Sequence, residues 1–245
     1  MKLICLGSSS RGNCYILQGE QESLIIECGV RIKDIKIALN FTLRNVVGCL
    51  VSHEHKDHSL SVNDILECGI KVLALESVFS SVKSANRVFA KMIEPMHGYK
   101  VGGFKVFAFP LAHDVPCVGY IIEHEEMGKL LFATDTMMIE YNFSGLNHIM
   151  IEANYCDNIL QTNIESGLVP LSMRRRLMHS HLELNTTKNY LRATDMSNVN
   201  EVILLHLSHD NGNVNTFISE VAKVSGKPTY IARSGFIVEL NKEPF

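Results

Sequence analysis

The chain has 245 residues, 46% of them hydrophobic, with seven cysteines and a formal charge of −3; its isoelectric point lies near 6.4. That apolar content supports one compact domain over residues 1–245. The odd, scattered cysteines never fall in C-x-x-C spacing, so they suggest neither a disulfide framework nor a thiolate zinc site, and the acidic balance argues against wrapping long stretches of nucleic-acid backbone.

From the N-terminus, residues 2–6, 13–17 and 23–27 are short β-rich runs divided by S-S-S-R-G and G-E-Q-E, the pattern of an antiparallel meander. Helical spacing appears over 32–39, and residues 46–51 form a nearly continuous apolar run suited to a buried strand. Helices are predicted over 60–67 and 77–92, then strands over 104–109, 118–123 and 129–133, the last two joined by the turn H-E-E-M-G. Further helices are predicted over 157–165, 171–178, 186–193 and 214–224, and late strands over 202–205 and 229–231. The reading is a mixed α/β protein with two sheets and outer helices. No stretch approaches the roughly 18 apolar residues of a membrane span, and the first apolar run is too short for a signal sequence, so a cytoplasmic protein is expected.

The segment V-S-H-E-H-K-D-H-S-L, residues 51–60, follows the buried strand directly. His53 and His55 place two imidazoles two residues apart, and Asp57 and His58 add two further donors. Imidazole and carboxylate are the ligand set of zinc, manganese, iron or nickel sites, and strand ends are where a rigid scaffold carries function. His113 follows a strand and Pro110, Asp135 ends L-L-F-A-T-D, His206 ends V-I-L-L-H, and His181 lies beside His179 in M-H-S-H-L-E. Any one of these reads as an ordinary core or surface residue. As a set they point to a metal centre. The one basic run, Arg174 to Arg176, reads equally well as a solvated helix face.

H-E-H-K-D-H matches the H-x-H-x-D-H signature of the metallo-β-lactamase fold superfamily, with His113, Asp135 and His206 in that superfamily's order. G-S-S-S-R-G-N-C-Y-I-L, L-I-I-E-C-G, A-T-D-T and L-L-H-L-S-H-D-N-G-N resemble the YycJ-like branch, which is also similar to ribonuclease Z. The resemblance spans essentially the whole chain. It implies a four-layer αββα sandwich of two mixed β-sheets flanked by helices, with two divalent transition-metal ions, zinc or manganese, at the sheet edge. By carry-over, His53, His55 and His113 hold one ion, Asp57, His58 and His206 hold the other, and Asp135 bridges them.

The implied chemistry is metal-dependent hydrolysis, in which Asp57 also orients the nucleophile and His181 serves as general acid. The segment at His181 reads H-L-E-L-N where the branch has H-L-S-N, so Glu183 replaces a serine. Glu27 stands where aspartate is usual and suits support of metal-binding histidines. Ser208 and Asn211 suit phosphate oxygens, and turn capping explains them equally well. The implied substrate is a nucleotide-type phosphodiester, evenly divided between a cyclic nucleotide, as in enzymes that counter nucleotide signalling in phage defence, and DNA or RNA trimmed by a YycJ-like exonuclease. Hydrolysis of a lactam, lactone or thioester, and a non-catalytic binding role, are the alternatives. A homodimer is expected from compact relatives.

Overall fold

A computed structural model describes residues 1–80, 82 and 87–243. Strands β1 (Lys2–Gly7), β2 (Cys14–Gln18) and β3 (Ser23–Ile26) form the expected antiparallel meander. Helix α1 (Ile32–Ala38) then crosses to β4 (Val46–Val51), which runs parallel to β3. Helices α2 (Lys56–Ser59) and α3 (Val62–Glu67) lead to β5 (Val72–Ala74), α4 (Glu76–Phe79) and the edge strand β6 (Ala90–Met92).

The second sheet opens with the antiparallel strands β7 (Gly98–Val101), β8 (Phe104–Leu111), β9 (Cys117–His124) and β10 (Gly128–Ala133). It continues in parallel through β11 (His148–Glu152), β12 (Glu201–Leu205) and β13 (Thr229–Ile231). Helices α5 (Asp157–Glu165), α6 (Leu171–Ser180) and α7 (Leu184–Ala193) lie between β11 and β12, and α8 (Val214–Ser225) precedes β13. Strand β14 (Ile237–Glu239) returns to the first sheet and pairs antiparallel with β1. Each sheet therefore has seven strands and is mixed, in the orders β14-β1-β2-β3-β4-β5-β6 and β13-β12-β11-β10-β9-β8-β7.

Strand alternation builds the layers, because successive side chains point to opposite faces. Leu3, Tyr15, Leu17, Leu24, Ile26 and Leu50 of the first sheet meet Phe104, Tyr120, Phe132, Met150, Ile203 and Leu205 of the second in one central core. The opposite face of the first sheet, with Ile16, Ile25, Cys49 and Val51, packs on Ile35 of α1 and Ile65 and Leu66 of α3. The outer face of the second packs Leu131, Ile149 and Leu204 on Leu191 of α7 and Phe217 and Val221 of α8. Burial on both faces is why these strands read as unbroken apolar runs rather than as alternating ones. The four-layer αββα arrangement is the one the resemblance implied.

One expectation needs correction. The helix expected over 77–92 is replaced by α4, a 3-10 turn at Arg87–Phe89 and β6, with residues 81 and 83–86 outside the described residues. Serine and β-branched residues make this segment a poor helix, and the open edge of β5 accepts Ala90–Met92 as a parallel strand. The helix expected over 60–67 is present as α3, and a separate short helix before it, α2, carries Asp57 and His58. Strands β5, β7, β11 and β14 were not anticipated; β11 is the one that matters for function.

Candidate metal centre

The candidate residues collect at one edge because every strand that bears one ends there. His53 follows β4, His113 follows β8, Asp135 follows β10 and His206 follows β12, while His55 caps the start of α2 and His181 ends α6. The turn into α2 is fixed by its neighbours: the Asp57 carbonyl accepts from the Asn13 N–H at 2.7 Å, and the His58 carbonyl accepts from the Cys28 N–H at 2.8 Å. Gly29 packs so tightly on this turn that a Cβ would lie 1.6 Å from the Asp57 carbonyl oxygen. Glu27, Asp135 and His206 all adopt left-handed backbone, with φ of 61°, 49° and 53°. Such strain in non-glycine residues concentrates at functional sites.

Three sets of donor atoms converge within 4.8 Å of one another: His53, His55 and His113; Asp57, His58, Asp135 and His206; and Asp135, Glu152, His181 and His206. The His53 and His58 rings lie 4.2 Å apart between centroids, tilted by 41°, and the His53 and His113 rings meet edge-on at 4.8 Å. His58 Nε2 lies 3.4 Å from Asp135 Oδ2 and 3.6 Å from Asp57 Oδ2. Among the described residues, His53 Nε2 and His206 Nε2 are buried with no hydrogen-bond partner. Buried polar nitrogens are rarely left so. Together with the histidines around His53 and the carboxylates around His206, they fit divalent cations.

A supporting shell orients these rings. His53 Nδ1 pairs with Ser52 Oγ at 2.9 Å, and His113 Nδ1 with the Ser180 carbonyl at 3.0 Å. Glu27, fully buried, accepts from the Ser52 N–H and lies 3.5 Å from His58 Nδ1, the supporting position expected for it. Sequence reasoning missed Glu152 and Asn154. Glu152, at the end of β11 and fully buried, faces His181 Nδ1 at 2.7 Å and accepts from the N–H groups of Thr136 and Leu182. Its Oε1 also faces His206 Nδ1 at 3.4 Å, and Asn154 donates to the His206 carbonyl. The available signal was the apolar run H-I-M-I-E, which ends in an acid just as A-T-D does.

The electrostatics separate the two groups of rings. Burial pushes the His53 imidazole well below its ordinary value, with His58 adding to the effect, and burial also lowers His113. Burial opposes charge on His58 and His206 too, yet Asp135 and Glu27 carry His58 well above its ordinary range, and Asp135, Asp57 and Glu152 carry His206 up to about 10. Asp57 and Asp135 stay below the usual carboxylate range against the pull of burial, held there by His206 and His58. The carboxylates thus demand positive charge at the points where His58 and His206 meet them.

Ser208 and Asn211 lie in the loop after His206. Ser208 Oγ accepts from the Asn211 N–H at 3.2 Å, and the Asn211 side chain accepts from Asn163 at 3.0 Å, so both hold this loop together. Glu183 caps α7 through the Asn185 N–H. Arg174 is engaged by Asp157 and Gln161, while Arg175, Arg176 and His179 are exposed on α6.

A family described as the beta-lactamase superfamily domain matches residues 29–207, which include every residue of the three donor sets. The chain belongs to this superfamily. It is 22% identical over 226 residues to exodeoxyribonuclease WalJ of Streptococcus pneumoniae, covering 86% of this chain and 82% of the relative. It is 23% identical over 236 residues to exodeoxyribonuclease YycJ of Bacillus anthracis, covering 90% and 85%. Among solved structures, the metallo-β-lactamase fold protein YhfI of Bacillus subtilis superposes with a TM-score of 0.72 at 15% identity, over 97% of this chain and 99% of that one. No helix among the described residues of this superfamily member is long and apolar enough to cross a membrane.

Proposed function

We propose that this protein is a metal-dependent phosphodiesterase that hydrolyses nucleic acid, and that it trims DNA as an exonuclease with residues 1–245 acting as one domain. The observation that carries the reading is the pair of buried, unpartnered nitrogens at one sheet edge, His53 Nε2 beside two further histidines and His206 Nε2 among carboxylates. The likeness to relatives named exodeoxyribonucleases supports the choice of substrate.

His53, His55 and His113 would hold one ion, Asp57, His58 and His206 a second, and Asp135 would reach both. When bound, such a pair supplies an activated water near neutral pH and offsets the negative charge that builds on the phosphate. The protein's own part is positioning and proton transfer. Asp57 Oδ2, between His58 and His206, is placed to accept a hydrogen bond from the attacking water. His181 stacks on His206 with ring planes 14° apart, and its Nδ1 is taken up by Glu152, which leaves Nε2 to give a proton to the departing sugar oxygen. The exposed Arg175 and Arg176 lie on the helix that ends at His181, where guanidinium groups suit the phosphates of a strand.

The test is turnover by zinc- or manganese-loaded protein on 5′-phosphorylated DNA and on cyclic mononucleotides in parallel, with an Asp57→Ala, His58→Ala control. Shortened DNA that disappears with the control supports the exonuclease. Linear nucleotide released from the cyclic compounds alone would replace it with a signalling-nucleotide hydrolase.

A further inference from the structure

We propose that Asp114 is a further protein ligand of the cation held by His53, His55 and His113. This inference rests on the metal reading above and adds a residue outside the H-x-H-x-D-H pattern and its partners. The Ser180 carbonyl takes up His113 Nδ1 at 3.0 Å, which in the neutral ring leaves the lone pair on Nε2. That Nε2 faces two other atoms, His55 Nδ1 at 3.4 Å and Asp114 Oδ1 at 3.0 Å. A nitrogen and a carboxylate oxygen at that distance need a positive charge between them, either a proton on Nε2 or a cation held by both.

The separations fit a shared cation. Donor atoms about 2.1 Å from one ion stand about 3.0 Å apart at a right angle and about 3.4 Å apart in a tetrahedron. Both contacts of His113 Nε2 therefore have the length of a coordination edge. His55 does not account for Asp114, since its Nε2 is 3.6 Å from the same oxygen, beyond hydrogen-bond reach.

Asp114 also differs from Asp135 in setting. Asp135 is buried, whereas the Asp114 side chain is 52% exposed, on the loop between β8 and β9. An exposed carboxylate on a loop can leave the ion at little cost when a phosphate oxygen arrives. Asp114 would thus occupy the open coordination position of this ion between turnovers. As an added oxygen donor it would also shift preference toward manganese over zinc.

The experiment is a titration of dialysed full-length protein with zinc and with manganese against a chromophoric chelator, for wild type, Asp114→Asn and Asp114→Ala. Wild type should bind two ions. Both variants should keep one affinity and lose roughly 10-fold or more in the other, with the larger relative loss for manganese. A crystal structure of zinc-loaded wild type gives a second reading that needs no variant, with an Asp114 oxygen expected about 2.0–2.2 Å from the ion beside His113. Variants with two wild-type affinities, or a loaded structure with Asp114 turned away from the ion, would overturn the assignment of Asp114 alone. A wild type that takes up no metal would overturn it together with the metal reading.

Discussion

His181 Nδ1 lies 2.7 Å from Oε1 of Glu152, a carboxylate with no access to solvent. Burial alone would discharge this histidine, and the Glu152 carboxylate reverses that, raising the imidazole above its ordinary value. The pairing also engages Nδ1, which leaves Nε2 as the nitrogen free to donate. Replacing Glu152→Gln keeps the shape but weakens both effects, so turnover is expected to fall roughly 10- to 100-fold with both ions retained. Steady-state kinetics with metal analysis checks this, and an unchanged kcat would remove Glu152 from the proton path.

His181→Ala removes the proposed proton donor itself. Turnover should drop by roughly 100-fold or more while metal content stays at the wild-type level. A substrate whose leaving group needs no proton, such as a nitrophenyl phosphodiester, should recover most of the loss. Equal losses on both substrates would mean that His181 shapes the site rather than protonating the leaving oxygen.

Gly29→Ala probes the contact between the end of β3 and the turn into α2. A methyl group there meets the carbonyl of Asp57 and the amide of His58. The turn must shift and take two donors of one metal set with it. Weaker binding of one ion and a lower melting temperature are expected together; a variant matching wild type in both would show that the turn adapts without moving its side chains.

Metal removal should make stability depend on pH in the alkaline range. In metal-free protein, His58 and His206 bind protons more tightly when folded than when unfolded. The stability they add is complete below about pH 6.5, the ordinary histidine value, and is lost as pH rises toward about 10, the value His206 reaches. Chelated protein should therefore melt at progressively lower temperature from neutral to alkaline pH, and loaded protein should not follow the same slope. Thermal scans with and without chelator decide it.

The sequence made some of this legible and hid the rest for identifiable reasons. H-E-H-K-D-H announces itself because its donors are contiguous, and Asp135 and His206 because each closes an unmistakable apolar run. Asn13, Glu152 and Asn154 stayed hidden because single acids and amides are common everywhere, and only the fold brings Glu152 beside His181, 29 residues away. Asp114 was passed over although it adjoins His113. The failed helix over 77–92 shows the opposite limit, since periodicity there was overruled by the free edge of β5, a tertiary fact.

Strand β14 pairs Ile237–Glu239 with Ile4, Leu3 and Lys2 of β1, and the Leu240 amide bonds to the Met1 carbonyl. The first strand thus acquires its neighbour on that side only from residues more than two hundred positions later. During synthesis, the β1 edge stays open while every candidate metal-binding residue has already emerged from the ribosome. Nascent chains carry an unpaired strand edge, and such contacts between distant residues form slowly. Shortening the chain before residue 237 would make that temporary hazard permanent, and insoluble protein, more than lost catalysis, would be its first symptom.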